Sequence, residues 1–230
     1  MTLGEALEIP RGITAVIGGG GKSTLLLRLG QELAQGAKVL LCTSTHMFPP
    51  PGIPLAQSIG EARALLSGGN LAALGSLGPQ GKLGPCAPPQ EFLALGDYIL
   101  CEADGSKGLP LKAHLPHEPV VPRETARLIY VLGLDGLGRP IAEAAHRPER
   151  YAALLGQGLA HRVTPTDAVD LILKEGYGKE NAILLLNKAE GERLAAAREA
   201  ARLWPGRAVI ASLQSPQAVL EAYIHGNRCP

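Results

Sequence analysis

Short apolar runs alternate with longer helical patterns along the chain, and this alternation constrains the fold more than any other feature. The runs are almost free of polar side chains, which is typical of strands covered on both faces by helices. They span residues 13–17, 37–43, 98–103, 127–132, 182–186 and 208–211. Helices are predicted at 22–35, 59–66, 148–155, 165–174, 191–203 and 217–224. This order predicts an α/β fold with a doubly wound, mostly parallel sheet of about six to seven strands.

Two irregular segments interrupt the alternation. Residues 48–90 are rich in proline and glycine, and a short hairpin is predicted around 71–83. Residues 104–125 form a second loop that prolines punctuate. Long loops in compact domains are usually functional or mobile. Because no repeat or clear linker divides the chain, we predict a single domain over 1–230 with an inserted region at about 48–90.

The composition excludes several classes of protein. The chain has 22 basic and 21 acidic residues, a formal charge of +1, and only 3% aromatic residues. Nucleic-acid partners are not expected, because phosphate neutralisation needs more basic charge and base stacking needs more aromatic rings. The longest uncharged stretch, 39–60, is broken by prolines, and the N-terminus carries acids where a leader would be basic. A cytoplasmic protein without a membrane partner is therefore expected.

A glycine-rich loop follows the first predicted strand and opens a helix. Its residues are Gly18, Gly19, Gly20, Gly21, Lys22, Ser23 and Thr24. Consecutive glycines let backbone N–H groups converge on phosphate oxygens, and the following helix directs its positive end at the same point. Lys22 is predicted to reach the β- and γ-phosphates, and Ser23 to hold Mg²⁺. The loop predicts a P-loop NTPase-like three-layer sandwich that binds ATP or GTP with Mg²⁺.

The loop departs from two related patterns. It fits G-x-x-x-x-G-K-[ST] except that Val16 replaces the first glycine. Aligned on Lys22, it also resembles the loop of the family that includes ParA, MinD and the nickel-insertion ATPases. Ile17 stands where that family carries its signature lysine, so activation across a dimer of that kind is not expected.

Two carboxylates end the third predicted strand, in the order Glu102-Ala103-Asp104. Because side chains alternate along a strand, both are predicted to project from one face, which borders the ligand crevice at a carboxyl end. Asp104, with Ser23, is predicted to hold Mg²⁺, and Glu102 to position a water molecule or an acceptor. Together with Lys22, these carboxylates are the predicted catalytic residues.

Two further strand ends carry candidate ligand contacts. Asn187-Lys188-Ala189-Glu190 follows a strand and resembles the N-K-x-D element by which GTPases bind guanine. Glu190 is one methylene longer than aspartate, so the choice between guanine and adenine stays open, as does a simple capped turn. After the second strand, Thr43, Thr45 and His46 either contact the γ-phosphate or Mg²⁺ or cap a turn.

Other polar residues are candidates for contact with an anionic substrate. Besides the threonines and histidine after the second strand, these are Ser106, Lys107, Lys112, His117, Arg139 and Arg147. A metal site is an alternative, because His114 and His117 lie three residues apart beside Glu118. Prolines flank this segment and break any helix that could aim both rings at one ion, so anion contact is favoured.

Taken together, these motifs resemble the YqeC-type proteins, a family assigned an accessory role for selenium-dependent hydroxylases. The resemblance is carried by residues 18–24, 43–46, 102–112, 117–119, 133–135, 146–149 and 187–188. The longest segment, E-A-D-G-S-K-G-L-P-L-K, is more specific than a phosphate loop alone. The resemblance implies a nucleotide-dependent role in maturing molybdenum hydroxylases that carry a labile selenium-containing cofactor, with such an enzyme or its cofactor as partner.

Three functions are compatible with these observations. The first is a nucleoside triphosphatase that acts as an accessory factor in cofactor maturation. The second is a nucleotide-gated insertion protein that does not hydrolyse, in which the loops 48–90 and 104–125 change order with the γ-phosphate. The third is an ATP-dependent kinase or ligase acting on a small anionic substrate. A homodimer is compatible with each of them.

Overall fold

Strands and helices alternate in the structure, a computed structural model that describes residues 1–178 and 182–229. The strands are β1 (Gly12–Gly18), β2 (Val39–Thr43), β3 (Leu55–Ala56), β4 (Leu71–Leu74), β5 (Ser76–Leu77), β6 (Leu83–Gly84), β7 (Tyr98–Glu102), β8 (Leu111–Lys112), β9 (Thr125–Gly133), β10 (Ala145–His146), β11 (Ala182–Asn187), β12 (Arg207–Ala211), β13 (Val219–Ile224) and β14 (Asn227–Arg228). The helices are α1 (Leu3–Ala6), α2 (Lys22–Leu33), α3 (Ile59–Gly68), α4 (Ile141–Ala144), α5 (Pro148–Leu155), α6 (Pro165–Lys174) and α7 (Arg193–Leu203). Short 3₁₀ turns lie at Pro79–Gly81, Pro89–Phe92 and Leu134–Gly136.

One large sheet forms the centre of the fold. Within the described ranges it has ten strands, in the order β14-β13-β12-β11-β9-β1-β7-β2-β4-β3. Neighbours from β12 to β3 are parallel, and β13 and β14 add an antiparallel edge. Because β1 lies between β7 and β9, the chain winds away from it in both directions. The predicted α/β fold with a doubly wound, mostly parallel sheet is confirmed, and short strands make the sheet wider than predicted.

Helices cover both faces of this sheet, as the apolar runs predict. Alternate residues of β1 point to opposite faces, so Val16 packs in the cluster that contains helices α1 and α2. Ile17 packs in the opposite cluster, which contains residues of α4, α5, α6 and α7. Helix α3 packs in a third cluster, with the strands β2 and β7. Burial on both faces leaves only strand ends and loops free to bind a ligand.

Two local predictions are wrong. Residues 217–224 were expected to be helical, but β13 occupies Val219–Ile224 and pairs antiparallel with β12. Val219 and Tyr223 are buried there, and the pairing satisfies backbone groups at an otherwise open edge, which outweighs the helical pattern. Within the predicted hairpin at 71–83, β4 instead joins the large sheet, and the antiparallel pair consists of β5 and β6 alone.

The helices were also compared with the dimensions of a lipid bilayer. A membrane-spanning helix needs about 20 mainly apolar residues. Among the described residues, no helix combines the length and the apolar character that crossing a membrane requires.

Candidate functional site

The loops that follow β1, β2, β7, β11 and β12 meet at one edge of the sheet, because the carboxyl ends of parallel strands lie together. A groove of about 640 Å³ opens there, lined by the glycine loop, Glu102 and the segments 45–48 and 105–108. A second cavity of about 220 Å³ adjoins it and is lined by Asn187, Lys188, Glu190 and Leu213. The two cavities share Gly21 and Thr24, so the glycine loop forms the boundary between them.

The glycine loop is held against its neighbours so closely that side chains cannot be accommodated. Gly18 has a φ of +93°, and a Cβ atom placed on it would lie 2.2 Å from the carbonyl oxygen of Val131. Gly21 has a φ of +138°, and its Cβ atom would lie 2.2 Å from the Asn187 side chain. Both conformations are unfavourable for residues with a side chain. The glycines therefore fix the path of the backbone at the point where α2 begins.

Lys22 begins α2 and points back over the loop. Its Nζ atom donates a hydrogen bond to the carbonyl oxygen of Gly18 at 2.6 Å and lies 3.2 Å from Asp104 Oδ1. Ser106 Oγ accepts a longer hydrogen bond from the same ammonium, at 3.3 Å. The lysine is 5% exposed. A cation is thus held at the rim of the loop where an anion would bind.

Glu102 lies beside the second helical residue of α2. Ser23 Oγ donates a hydrogen bond of 3.1 Å to Glu102 Oε2, and both residues line the groove. Burial raises the pKa of the Glu102 carboxyl, while Lys22 and Ser23 act in the opposite direction. These two oxygens, one from a hydroxyl and one from a carboxylate, are of the type that Mg²⁺ prefers.

Asp104 is completely buried rather than facing the groove. Its Oδ2 atom accepts a hydrogen bond from the backbone N–H of Gly18 at 2.9 Å and lies 3.2 Å from Lys112 Nζ. Burial opposes ionisation, but Lys22, His114 and Lys112 hold the pKa of the Asp104 carboxyl well below its usual range. The carboxylate is therefore ionised, and it contacts the glycine loop and Lys22 from the buried side.

His114 links Asp104 to the end of α6. Its Nε2 atom lies 2.8 Å from Asp104 Oδ2, and its Nδ1 atom lies 2.8 Å from Glu175 Oε2. The backbone N–H of His114 also donates to Glu175, at 2.6 Å. Burial lowers the pKa of this imidazole, but the two carboxylates outweigh burial and raise it. The pair of carboxylates favours a charged imidazolium between them.

Lys112 and Arg147 surround another carboxylate at the groove. Arg147 donates two hydrogen bonds to Glu118, at 2.7 and 3.2 Å, and Lys112 Nζ lies 3.5 Å from the same carboxylate. These cations hold the pKa of Glu118 below its usual value, although burial acts in the other direction. The lysine and the arginine, both predicted as substrate contacts, are therefore already paired with Glu118.

Asn187 joins the two parts of the site. Its Nδ2 atom donates a hydrogen bond of 2.8 Å to the carbonyl oxygen of Gly20, and its Oδ1 atom accepts one of 3.1 Å from the backbone N–H of Leu213. Beyond it, Lys188 pairs with Asp135 at 2.7 Å. Glu190 accepts a hydrogen bond from the hydroxyl of Ser212 and stays half exposed at the rim of the smaller cavity.

The remaining predicted site residues separate into two groups. Thr45, His46 and Lys107 line the groove. Thr43 is buried and donates a hydrogen bond to the carbonyl oxygen of Glu102 at 2.9 Å, so it supports the strand ends. His117 and Arg139 are exposed and are not part of the groove lining in the described structure.

The metal alternative for His114 and His117 has no support in the described residues. His114 is buried between two carboxylates, whereas His117 is exposed. No group of three or more potential metal ligands from histidine, cysteine, aspartate and glutamate occurs in the ranges that the structure describes.

Several residues of the site were missed from the sequence. Phe48 and Lys82 line the groove, although both come from the irregular segment 48–90. Glu175 lies 61 positions from His114, and no local pattern connects the two residues. The sequence draws attention to His114 by its spacing to His117. It does not indicate the contacts of His114 with Asp104 and Glu175.

The fold and the site define an α/β protein with a glycine loop at the carboxyl edge of its sheet, followed there by a buried lysine. The YqeC protein family matches residues 14–149, more than half of the chain, and the chain therefore belongs to this family. An uncharacterized protein YqeC of Escherichia coli (strain K12) is 35% identical over 157 residues, which cover 63% of this chain and 60% of that protein. The chain thus spans less than two thirds of this relative's length. No solved structure matches the chain.

Proposed function

We propose that the protein binds a nucleoside triphosphate with Mg²⁺ at the glycine loop and hydrolyses it. The observation that carries this proposal is the arrangement of Gly18–Gly21, Lys22 and Ser23 at the start of α2, with Glu102 3.1 Å from the serine hydroxyl. Backbone N–H groups, a helix N-terminus and a lysine converge at this point, and each of them favours a bound phosphate.

Lys22 is the residue whose ammonium binds the negatively charged phosphates. In the structure its ammonium contacts the Gly18 carbonyl oxygen and Asp104. A triphosphate offers stronger, charged acceptors at the same rim, so the ammonium turns to the β- and γ-phosphates while Asp104 stays beside it. The buried carboxylate is therefore a positioning group for Lys22.

The residues present also fit Mg²⁺. Ser23 Oγ and Glu102 Oε2 supply two neighbouring oxygens, and Mg²⁺ in nucleotide sites takes one or two protein oxygens and completes its shell with phosphate oxygens and water. When bound, the ion neutralises charge that develops on the phosphate oxygens. We assign the metal to Ser23 and Glu102 and not to Asp104, whose oxygens already face Lys22, Lys112 and His114.

The smaller cavity is suited to the base of the nucleotide. It is contiguous with the glycine loop and contains Asn187 and the half-exposed carboxylate of Glu190. A carboxylate can accept two hydrogen bonds from the adjacent ring N–H and amino group of guanine, whereas adenine offers only its amino group. ATP and GTP are both compatible with the phosphate loop, so titration with each nucleotide determines which base the protein prefers.

Family membership supports an accessory role for this activity. We propose that nucleotide turnover serves the maturation of selenium-dependent molybdenum hydroxylases, with the client enzyme or its cofactor as partner. A slow intrinsic turnover that the client accelerates is expected of such a factor.

The first experiment is calorimetric titration of the whole chain with ATP and with GTP, each with Mg²⁺ and with EDTA. Lys22→Ala should abolish binding of both nucleotides without unfolding the chain, as circular dichroism would show. Lys38→Ala is the matched control, because Lys38 is exposed just before β2, at the amino ends of the parallel strands and opposite the groove. Unchanged affinity in Lys22→Ala would contradict the phosphate-loop assignment.

A further inference from the structure

The groove extends well past the glycine loop. Besides the residues assigned to the nucleotide, it is lined by side chains from three other loops and from the strand β10. We define the outer groove by Thr45, His46, Phe48, Lys82, Lys107 and His146. None of these residues takes part in the nucleotide site proposed above, so this half of the groove needs its own explanation.

Two polar atoms in the outer groove are left without a partner. Thr45 Oγ1 and His146 Nδ1 are both buried as atoms, and neither has a hydrogen-bond partner among the residues that the structure describes. Buried polar groups without a partner are rare in native folds, because each has given up its hydrogen bonds to water without a replacement. Burial, followed by Lys112 and Arg147, lowers the pKa of His146, so its neutral ring can accept or donate. Both residues line the groove, where a bound ligand could supply the missing partners.

The charge of the outer groove favours an anion. Lys82 and Lys107 both line it, and neither forms an ion pair with a carboxylate in the described ranges. The carboxylates of the groove are Glu118, which Arg147 already neutralises, and Glu102, which belongs to the nucleotide half. Two free lysines beside neutral hydrogen-bonding groups match a ligand with several charged oxygens.

An aromatic ring stands next to one of these lysines. Phe48 is 63% exposed, and Lys82 Nζ lies 5.1 Å from the centroid of its ring. A large apolar side chain with that exposure at a groove offers a flat surface on which a planar group can stack. The lysine fixes the charged end of such a ligand close to the ring.

We infer that the outer groove binds a second small molecule together with the nucleotide, and that this molecule is a phosphate monoester of a planar ring system. Lys82 and Lys107 take its phosphate, Thr45 and His146 complete the hydrogen bonds, and Phe48 stacks on its ring. The inference rests on the proposed function only in assigning the inner half of the groove to the nucleotide.

The test uses flavin mononucleotide, whose fluorescence anisotropy reports binding. The chain is first saturated with Mg²⁺ and a non-hydrolysable analogue of the nucleotide that it binds, which blocks the glycine loop. Flavin mononucleotide should then bind at least about tenfold more tightly than riboflavin, which lacks the phosphate, and than inorganic phosphate, which lacks the ring. Equal affinity for flavin mononucleotide and either of these probes would overturn the inference.

Variants locate the binding. The double change Lys82→Ala and Lys107→Ala should weaken flavin mononucleotide binding to the nucleotide-loaded chain by about tenfold or more, and Phe48→Ala should weaken it by about threefold or more. Lys38→Ala, far from the groove, is the control. Retained affinity in the double variant would place the probe elsewhere and overturn the inference. If the chain binds no nucleotide at all, the proposed function fails, yet flavin binding that depends on Lys82 would still support the outer groove.

Discussion

The carboxylate of Asp104 contacts four groups: the backbone N–H of Gly18 and the side chains of Lys22, Lys112 and His114. One buried anion therefore holds both the glycine loop and the ammonium of its lysine in place. Glu102, two residues earlier on the chain, contacts only the serine of the loop by hydrogen bond. The two carboxylates have separate tasks, although the sequence pairs them on one strand.

This separation predicts different metal dependence for two isosteric variants. Glu102→Gln should weaken nucleotide binding in the presence of Mg²⁺ by about tenfold, or about 1.4 kcal/mol, and leave binding in EDTA within about twofold. Asp104→Asn should weaken both to the same extent, because it acts through Lys22. Calorimetry with and without the ion measures both quantities, and a loss confined to Mg²⁺ in Asp104→Asn would return the metal to Asp104.

The charged imidazole of His114 predicts a pH-dependent stability. Its folded-state pKa is raised, so its contribution is complete below the ordinary histidine value of about 6.5 and is lost as the pH rises through the folded-state pKa. His114→Ala should lower the free energy of unfolding by about 3 kcal/mol at pH 6 and by less at pH 9. Urea unfolding at both pH values measures this difference.

His117→Ala, an exposed change three residues away, is the control and should stay within about 0.5 kcal/mol of the parent chain. An equal loss for His114→Ala at pH 6 and pH 9 would mean that the imidazole is not charged between its two carboxylates.

At the scale of elements, helix α2 supports both halves of the proposed nucleotide site. Its first residue is Lys22, and two turns later Arg28 donates hydrogen bonds to the carbonyl oxygens of Leu213 at 2.6 Å and Pro216 at 3.2 Å, as well as to that of Ser215. These carbonyls belong to the loop after β12, which lines the smaller cavity. Arg28 thus holds the loop after β12, which is proposed to contact the base, against helix α2, which begins at the proposed phosphate site.

Arg28→Ala should accordingly release the loop after β12. We expect the affinity for the nucleoside triphosphate to fall by about fivefold or more, since hydrogen bonds to charged groups contribute about 1.5–3 kcal/mol. The affinity for pyrophosphate, which does not reach the smaller cavity, should change less. Gln31→Ala, exposed on the same helix, is the control. Equal losses for both ligands would contradict a role confined to the loop.

At the scale of the whole molecule, the parallel strands form a rigid support and the loops at their carboxyl ends form the site. The central strands β1 and β11 are buried almost throughout and β9 is buried in its second half, while the segments after β2 and β7 contain exposed residues. The antiparallel edge of β13 and β14 lies at the end of the sheet and away from the groove.

Amide hydrogen exchange should distinguish the rigid parallel strands from the loops at their carboxyl ends. Amides of β1, β9 and β11 should exchange most slowly in the free chain. Addition of Mg²⁺ and nucleotide should protect the glycine loop and the segments 44–48 and 104–108, and leave β13 and β14 unchanged. Protection concentrated at the antiparallel edge would contradict the location of the site.

The sequence predicts the parallel core well because its signals are local. The glycine loop, the strand end at Glu102 and the bounds of α5 and α6 all follow from neighbouring residues. What it misses depends on contacts between distant residues. Neither the pairing of β13 with β12 nor the contact of His114 with Glu175 leaves a trace in spacing or composition. The ionised state of the buried Asp104 likewise depends on cations from two distant segments, Lys22 and the stretch that contains Lys112 and His114.

The two hydrogen bonds of Asn187 have a thermodynamic consequence. One amide connects the Gly20 carbonyl oxygen to the backbone N–H of Leu213, so the loop proposed to bind the phosphates cannot become ordered independently of the loop proposed to bind the base. Ordering one loop lowers the entropic cost of ordering the other. Triphosphate and nucleoside, offered as separate molecules, should therefore favour each other's binding, and this cooperativity should disappear when Asn187 is replaced by alanine.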